Sequence, residues 1–228
     1  MELEAVNQAL FAAFNAPADV SAPMLLLGKV AAKYLIDVIF AVVVLKWLVG
    51  DEQDRRAVTQ VLLAVLLSLA LNYFVAQLFP RPRPFMIGVG HTFMSHRAES
   101  GFPSDHATPM WTIAFGMLMW SRRSLAGWIA LALAAATSWA RVYLGVHFPF
   151  DILGSMAVAV LSVLALAALR PFVERTVARP LEAWHGRLGW GGVGRYLAQG
   201  RRWCRPVAAP ATVAGGSTPA AGKKNSET

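Results

Sequence analysis

The chain has 228 residues, 56% hydrophobic and only 15% charged, with a mean hydropathy of +0.48 and a formal charge of +8. Soluble domains carry roughly 25% charged residues, so this composition excludes a water-soluble globule, and the apolar share excludes disorder over most of the length. A single cysteine, Cys204, excludes a disulfide framework and any cysteine-built zinc site.

Taken in chain order, Glu4 to Asn15 places Val6, Leu10, Phe11 and Phe14 on one helical face. It is too short to cross a bilayer and is expected to lie at the interface, or to contribute to a sixth span. A bilayer core takes about 20 apolar residues per helix. Tyr34 to Gly50, extended backwards through Leu25 to Leu27, supplies the first span, with Asp37 and Lys46 inside it. Val58 to Phe79 is the second, in a stretch without charge between Arg56 and Arg81. Ala107 to Ser121 reaches spanning length if its helix begins near Ser104, and Ser124 to Ala140 and Ile152 to Leu169 complete the set. After Arg170, arginines at 175, 179, 187, 195, 201, 202 and 205 punctuate a region holding Trp184, Trp190 and Trp203. From Pro206 onward the Ala/Gly/Pro/Ser/Thr content predicts disorder.

The expected fold is therefore all-α, a polytopic transmembrane bundle of five or six spans. Residues 1–21 form an amino-terminal interfacial segment, 22–170 the membrane domain and 171–228 a basic tail. The acidic start of the chain does not resemble a cleavable signal peptide. Lys46, Arg55, Arg56, Arg122, Arg123 and the basic tail fall on one side, which the positive-inside rule assigns to the cytoplasm. Plain topology explains that charge, with anionic-lipid contact as a minor addition, and no nucleic-acid partner is expected.

The opposite, outward segments 80–103 and 143–150, with their flanks, hold Arg81, Arg83, Arg97, Arg141 and four of the five histidines. Arginines on the disfavoured side call for a reason, and three clusters supply one. In Pro80-Arg81-Pro82-Arg83-Pro84, each proline keeps the preceding arginine extended. Residues two apart then share a face, so two guanidinium forks are expected side by side and suited to phosphate oxygens. In Phe102-Pro103-Ser104-Asp105-His106, Ser104 suits an N-cap whose free N–H groups and helix dipole attract an anion. In Arg141-Val-Tyr-Leu-Gly-Val-His147-Phe-Pro-Phe-Asp151, Gly145 and Pro149 break the chain, and Asp151 stands four residues beyond His147. A carboxylate there can fix the tautomer of the imidazole and make its other nitrogen a better nucleophile. Each cluster has a plainer reading: a snorkelling helix terminator, an ordinary cap and a simple helix-end charge.

Arg-x5-His-x3-Asp after Pro-Ser-x-His, itself after Arg-Pro, resembles the type 2 phosphatidic acid phosphatase superfamily, which also includes vanadium haloperoxidases. The resemblance runs from about Val58 to Leu169. It implies a phosphatase in which His147 attacks phosphorus, Asp151 orients it and His106 protonates the leaving oxygen. It further implies that Arg83 and Arg141, with Ser104, hold the phosphoryl oxygens, and that neither a metal nor another cofactor is needed. Two positions depart from the family pattern. Ala76, with Gln77 beside it, stands where a lysine is usual, and Asp105 where glycine is usual. Both departures, together with Gly90-His91-Thr92, look like the bacterial undecaprenyl-diphosphatase branch. Arg81 is the candidate to replace the lysine charge, and Gln77, Asp105 and His91 are candidates for headgroup contact. A metal site built from His91, His96 and Glu99 is disfavoured beside Arg97.

The implied activity is hydrolysis of undecaprenyl diphosphate through a phosphohistidine, recycling the cell-wall lipid carrier at the periplasmic face of a bacterial inner membrane. Resistance to antibiotics that sequester the diphosphate would follow. The expected partners are a polyprenyl diphosphate and bilayer lipids. Phosphatidylglycerophosphate, phosphatidic acid or lipid A are alternative substrates for the same chemistry. A lipid transporter or scramblase is the alternative of another class, and it predicts polar residues at midplane in several spans. Here only scattered Ser, Thr and Asn72 occur at that depth.

Overall fold

The computed structural model describes residues 2–121 and 125–187, and within these every regular element is helical. The expectations for Arg122, Arg123 and the chain from residue 188 onward fall outside the described residues. The helices are α1 (Glu2–Phe14), α2 (Ala22–Lys33), α3 (Leu35–Val49), α4 (Glu52–Leu78), α5 (Ala107–Trp120), α6 (Leu125–Tyr143), α7 (Pro149–Ala168), α8 (Arg170–Val173) and α9 (Arg179–Arg187).

Local sequence explains the longest of these. Asp51 caps α4 by accepting the Asp54 N–H at 2.8 Å, and neither Gly nor Pro interrupts it before Pro80. Proline opens α7, and the Asp151 carboxylate accepts the Phe148 N–H at its start at 2.8 Å. Helices α4, α6 and α7 are long and apolar enough to cross a membrane. The first expected span is two helices, α2 and α3, which meet at Tyr34.

The first helical bond of α5 starts at Ser104, whose carbonyl accepts the Thr108 N–H at 3.0 Å, but Pro109 offers no N–H to Asp105 and the uninterrupted helix runs from Ala107 to Trp120. A helix of 14 residues rises about 21 Å, less than the roughly 30 Å hydrocarbon core. It is almost wholly buried among α4, α6 and α7, so protein rather than lipid surrounds its ends. Close approach is possible where side chains are small: a Cβ on Gly116 would meet Val61 and Trp120 at 3.0 Å, and one on Gly127 would meet Leu118 at 3.0 Å. Polar residues at depth are paired across the bundle. Thr108 donates to Asn72 at 2.7 Å, Trp111 Nε1 to Ser138 at 2.9 Å, and Thr137 to the Ala31 carbonyl at 3.1 Å.

Helix α1 packs on α6 and α7 rather than standing apart. Phe11 is buried edge-on to Phe148, with ring centres 5.1 Å apart. Asn7 accepts the Phe150 N–H at 3.0 Å, and Asn15 donates to the carbonyls of His91 and Tyr143. Two asparagines thus fasten α1 over the loops that carry the site.

Candidate active site

The 79–106 connection has no long regular element, so its backbone is fixed by individual bonds. Gly101 N–H donates to the Arg81 carbonyl at 2.7 Å, Phe93 N–H to the Leu144 carbonyl at 3.1 Å, and His91 N–H to Asn15 Oδ1 at 2.7 Å. The 144–148 turn meets this connection closely. Gly145 has φ +76°, and a Cβ there would lie 2.1 Å from the His91 carbonyl oxygen, so both conformation and space demand glycine.

These contacts bury His147 completely, with Arg83, Arg141 and Asp151 each no more than 2% exposed. His147 Nδ1 lies 2.9 Å from the Gly101 carbonyl oxygen and 3.4 Å from Asp151 Oδ2. A carbonyl can only accept, so the ring proton sits on Nδ1 and the Nε2 lone pair is free. Around Nε2 stand Arg83 Nη1 at 2.9 Å, Ser104 Oγ at 3.1 Å and Arg141 Nη2 at 3.5 Å. Burial, reinforced by the charges of Arg141 and Arg83 against the weaker pull of Asp105, holds the imidazole well below the usual histidine range. It is therefore neutral near pH 7, as a nucleophile must be.

Arg83 is anchored from behind, donating Nε to the Glu99 carbonyl and Nη2 to the Ser100 carbonyl, each at 3.2 Å. Burial lowers its affinity for its proton, and Asp105, Asp151 and Glu99 oppose that effect. Arg141 Nε has no partner among the described residues, and its nearest carboxylate, Asp105 Oδ1, is 4.0 Å from Nη2. Two buried guanidinium groups without a close carboxylate are expensive unless an anion completes them. Ser104 is tied down by Ser155, whose Oγ accepts the Ser104 N–H at 2.8 Å.

The sequence-derived candidates divide into three groups. His147, Asp151, Arg83, Arg141 and Ser104 converge within hydrogen-bonding distance of one ring. Asp105 and His106 lie at the rim. Asp105 Oδ1 is 3.4 Å from His106 Nδ1 and 3.9 Å from His147 Nε2. Burial alone would push the Asp105 carboxyl up. The His106 hydrogen bond and the nearby charge of Arg141 hold it well below the usual carboxylate range instead.

Arg81, Gln77 and His91 stand outside this group. The guanidinium of Arg81 pairs with Glu4 of α1 and lies 5.9 Å from the centre of the Phe102 ring, so the two motif arginines do not end side by side. The extended backbone gave them a common face, but Glu4 claims one of them. Gln77 is exposed on the last turn of α4, and His91 is exposed, with its ring 6.3 Å from that of Phe93. The N-cap expectation for Ser104 is met in its hydrogen bonds: its hydroxyl oxygen accepts the Ala107 N–H at 3.4 Å and its carbonyl the Thr108 N–H at 3.0 Å, while the same hydroxyl stands 3.1 Å from His147 Nε2.

Sequence reading missed the Gly101 carbonyl as the closest partner of Nδ1. It carried no side-chain signal, although a Cβ at Gly101 would lie 3.0 Å from Arg83 Cγ and 3.3 Å from Asp151 Oδ2. His96 was also underweighted. Its half-buried ring stands 6.3 Å from that of His147 and 6.5 Å from that of His106. Burial, then the charges of Arg83 and Arg141, hold it below the usual histidine range. Beside the site, Leu10, Phe14, Trp139, Val142, Pro149, Ile152 and Leu153 line an open apolar groove of about 320 Å³ between α1, α6 and α7.

Comparison with known proteins agrees with this arrangement. YbjG of Escherichia coli strain K12, provisionally named an undecaprenyl-diphosphatase, is 34% identical over 183 residues, covering 80% of this chain and 92% of the relative. The undecaprenyl-diphosphatase BcrC of Bacillus subtilis strain 168 is 34% identical over 135 residues, 58% of this chain and 69% of the relative. The crystal structure of Aquifex aeolicus LpxE shares the fold, with a TM-score of 0.58 at 20% identity over 72% of this chain and 95% of that one. Residues 57–175, which carry all three motifs, match the PAP2 superfamily, and the chain belongs to that superfamily.

Proposed function

We propose that this membrane protein hydrolyses undecaprenyl diphosphate to undecaprenyl phosphate and inorganic phosphate. The observation that carries the reading is the free Nε2 of His147, ringed by Arg83, Ser104 and Arg141 with no close carboxylate to neutralise the arginines. A terminal phosphoryl group fits that gap, with its oxygens taking the place of the lone pair as acceptor for the three donors. Nε2 attacks the terminal phosphorus, the bond to the bridging oxygen breaks, and His106 gives that oxygen a proton. Water then attacks the phosphohistidine, His106 takes the water's proton, and phosphate leaves with Nε2 restored. Donors fixed in advance around developing negative charge are the main source of rate in such a transfer. Asp151 and the Gly101 carbonyl keep the Nδ1 proton in place throughout.

The relatives' names support the diphosphate substrate, and the apolar groove beside Pro149 is suited to the first isoprene units of the tail. In this reading α1 lies along the outer interface and the site opens to the periplasm, a placement that the distribution of lysine and arginine supports. The test is phosphate release in EDTA by the detergent-purified protein from undecaprenyl diphosphate, beside phosphatidic acid and phosphatidylglycerophosphate. Release strongest from the prenyl diphosphate and lost in His147→Ala is expected. Release from a glycerolipid alone would overturn the substrate and keep the chemistry. A folded protein inactive on all three would overturn the enzyme reading in favour of transport.

A further inference from the structure

The rim of the site contains a second constellation that phosphoryl transfer does not require. His96, Asp105 and His106 each present a ligand atom, and these atoms lie within 4.8 Å of one another. Only part of this group was visible in the sequence, where His96 was weighed with His91 and Glu99. The structure takes both of those away. Glu99 faces Arg97 at 3.8 Å, and His91 turns toward Phe93. In their place stand an aspartate at a position where the family pattern has glycine, and the histidine next to it.

We propose that His96, Asp105 and His106 form a site for a divalent cation of the Zn²⁺ class, and that filling it inhibits the enzyme. Two imidazoles and one carboxylate are the ligand set that borderline cations prefer, with one or two positions left for water. Ligands on a tetrahedral zinc with bonds near 2.1 Å stand about 3.4 Å apart. Asp105 Oδ1 and His106 Nδ1 already have that separation. The remaining gap closes by rotation of side chains that are half-buried or exposed. Arg83 and Arg141 face the same space and repel a cation, which makes binding weaker than that of a structural zinc. The binding half of the inference stands on these three residues alone. The inhibitory half rests on the role proposed for His106. An imidazole with one nitrogen on a cation cannot take up a second proton, so the acid that releases the bridging oxygen is lost.

The experiment is a Zn²⁺ titration of the metal-stripped protein by calorimetry, with phosphate release measured at each point. Wild type, His96→Ala, Asp105→Gly and the control His91→Ala are compared, each first shown to be folded by its elution profile. One zinc per chain is expected in wild type and His91→Ala, with binding at least about tenfold weaker in the two site variants. Phosphate release should fall as the wild-type site fills, recover with EDTA, and resist zinc in His96→Ala. No stoichiometric binding by wild type, or equal binding by His96→Ala and Asp105→Gly, would overturn the site. Binding with undiminished release would overturn the inhibition. Zinc bound at these residues by a chain inactive on every lipid phosphate would uphold the site and overturn the phosphatase reading instead.

Discussion

Both ends of the helix bundle gather arginines, and they treat the charge in opposite ways. Where α4 begins and α7 ends, Arg56 and Arg170 have carboxylates close at hand, while Arg55 donates to the Gly50 carbonyl at 2.6 Å. Arg56 binds Glu182 at 2.8 Å and also pairs with Glu52, and Arg170 binds Glu174 at 2.7 Å. Lys46 there binds Asp54 at 2.5 Å. These pairs are partly exposed, and such bridges contribute little singly. Where α4 ends and α5 and α7 begin, Arg83 and Arg141 are buried and face a histidine instead. The difference teaches where a ligand belongs. Arg56 and Arg170 are neutralised by carboxylates, whereas Arg83 and Arg141 lie buried beside His147 with no carboxylate closer than 4.0 Å, a gap that the proposed phosphoryl group would fill.

Substitutions sharpen this contrast, beginning with the one of largest effect. His147→Ala is expected to reduce phosphate release by on the order of 10⁴-fold or more, since the proposed mechanism forms its covalent intermediate on this ring. Arg141→Ala and Arg83→Ala should each reduce kcat by about 10²–10³-fold, the loss typical of a fixed donor to developing charge. Arg56→Ala at the other end should change kcat less than about twofold. Equal losses at the two ends would erase the distinction drawn between them.

Asp151→Asn separates the two partners of Nδ1. Were Asp151 alone to set the tautomer, the loss would approach 10⁴-fold, as in catalytic triads. With the Gly101 carbonyl closer, at 2.9 Å against 3.4 Å, a loss of about 10–10²-fold is expected. The pH profile gives a smaller effect. The pKa of His147 lies below the ordinary 6.5, so its neutral form persists as pH falls through that value, and the acid limb of kcat/KM assigned to it should lie below pH 6.5. Asp105 raises the His147 pKa, so Asp105→Asn should move that limb further toward acid. The smallest effect is expected for Arg81→Ala, within about fivefold, because Glu4 already neutralises that guanidinium. A loss as large as that of Arg83→Ala would restore Arg81 to the phosphate and make it the substitute for the absent motif lysine.

Much of this was legible in one dimension, and the reason differs from residue to residue. Val58 to Phe79 was readable as a span because a bilayer demands an unbroken apolar run, and α4 covers it. His147 and Asp151 were readable as a pair because a turn followed by one helical turn fixes their separation within a few residues. Helix α5 was readable from Ala107 to Ser121 and ends at Trp120, and only its central place in the bundle was not. Its burial inside the bundle removed the length requirement that lipid imposes, and a periodicity argument cannot see which helix is central. Arg81 and Arg83 were read as equivalent, since nothing local distinguishes them. Glu4, distant in sequence, does.

The sequence by itself determined that the chain is a membrane helix bundle, which side of it carries the unusual charge, and which residue types could transfer a phosphoryl group. Those conclusions follow from hydropathy, from lysine and arginine placement and from short spacings, all of which act locally. Tertiary structure alone decided which of two neighbouring arginines lies beside His147 and that a backbone carbonyl holds its Nδ1 proton. It also decided that His96 joins Asp105 and His106 rather than His91. Each of these depends on where the 79–106 connection folds against α1 and the 144–148 turn. Contacts between segments far apart in the chain set that path, and no local pattern encodes them.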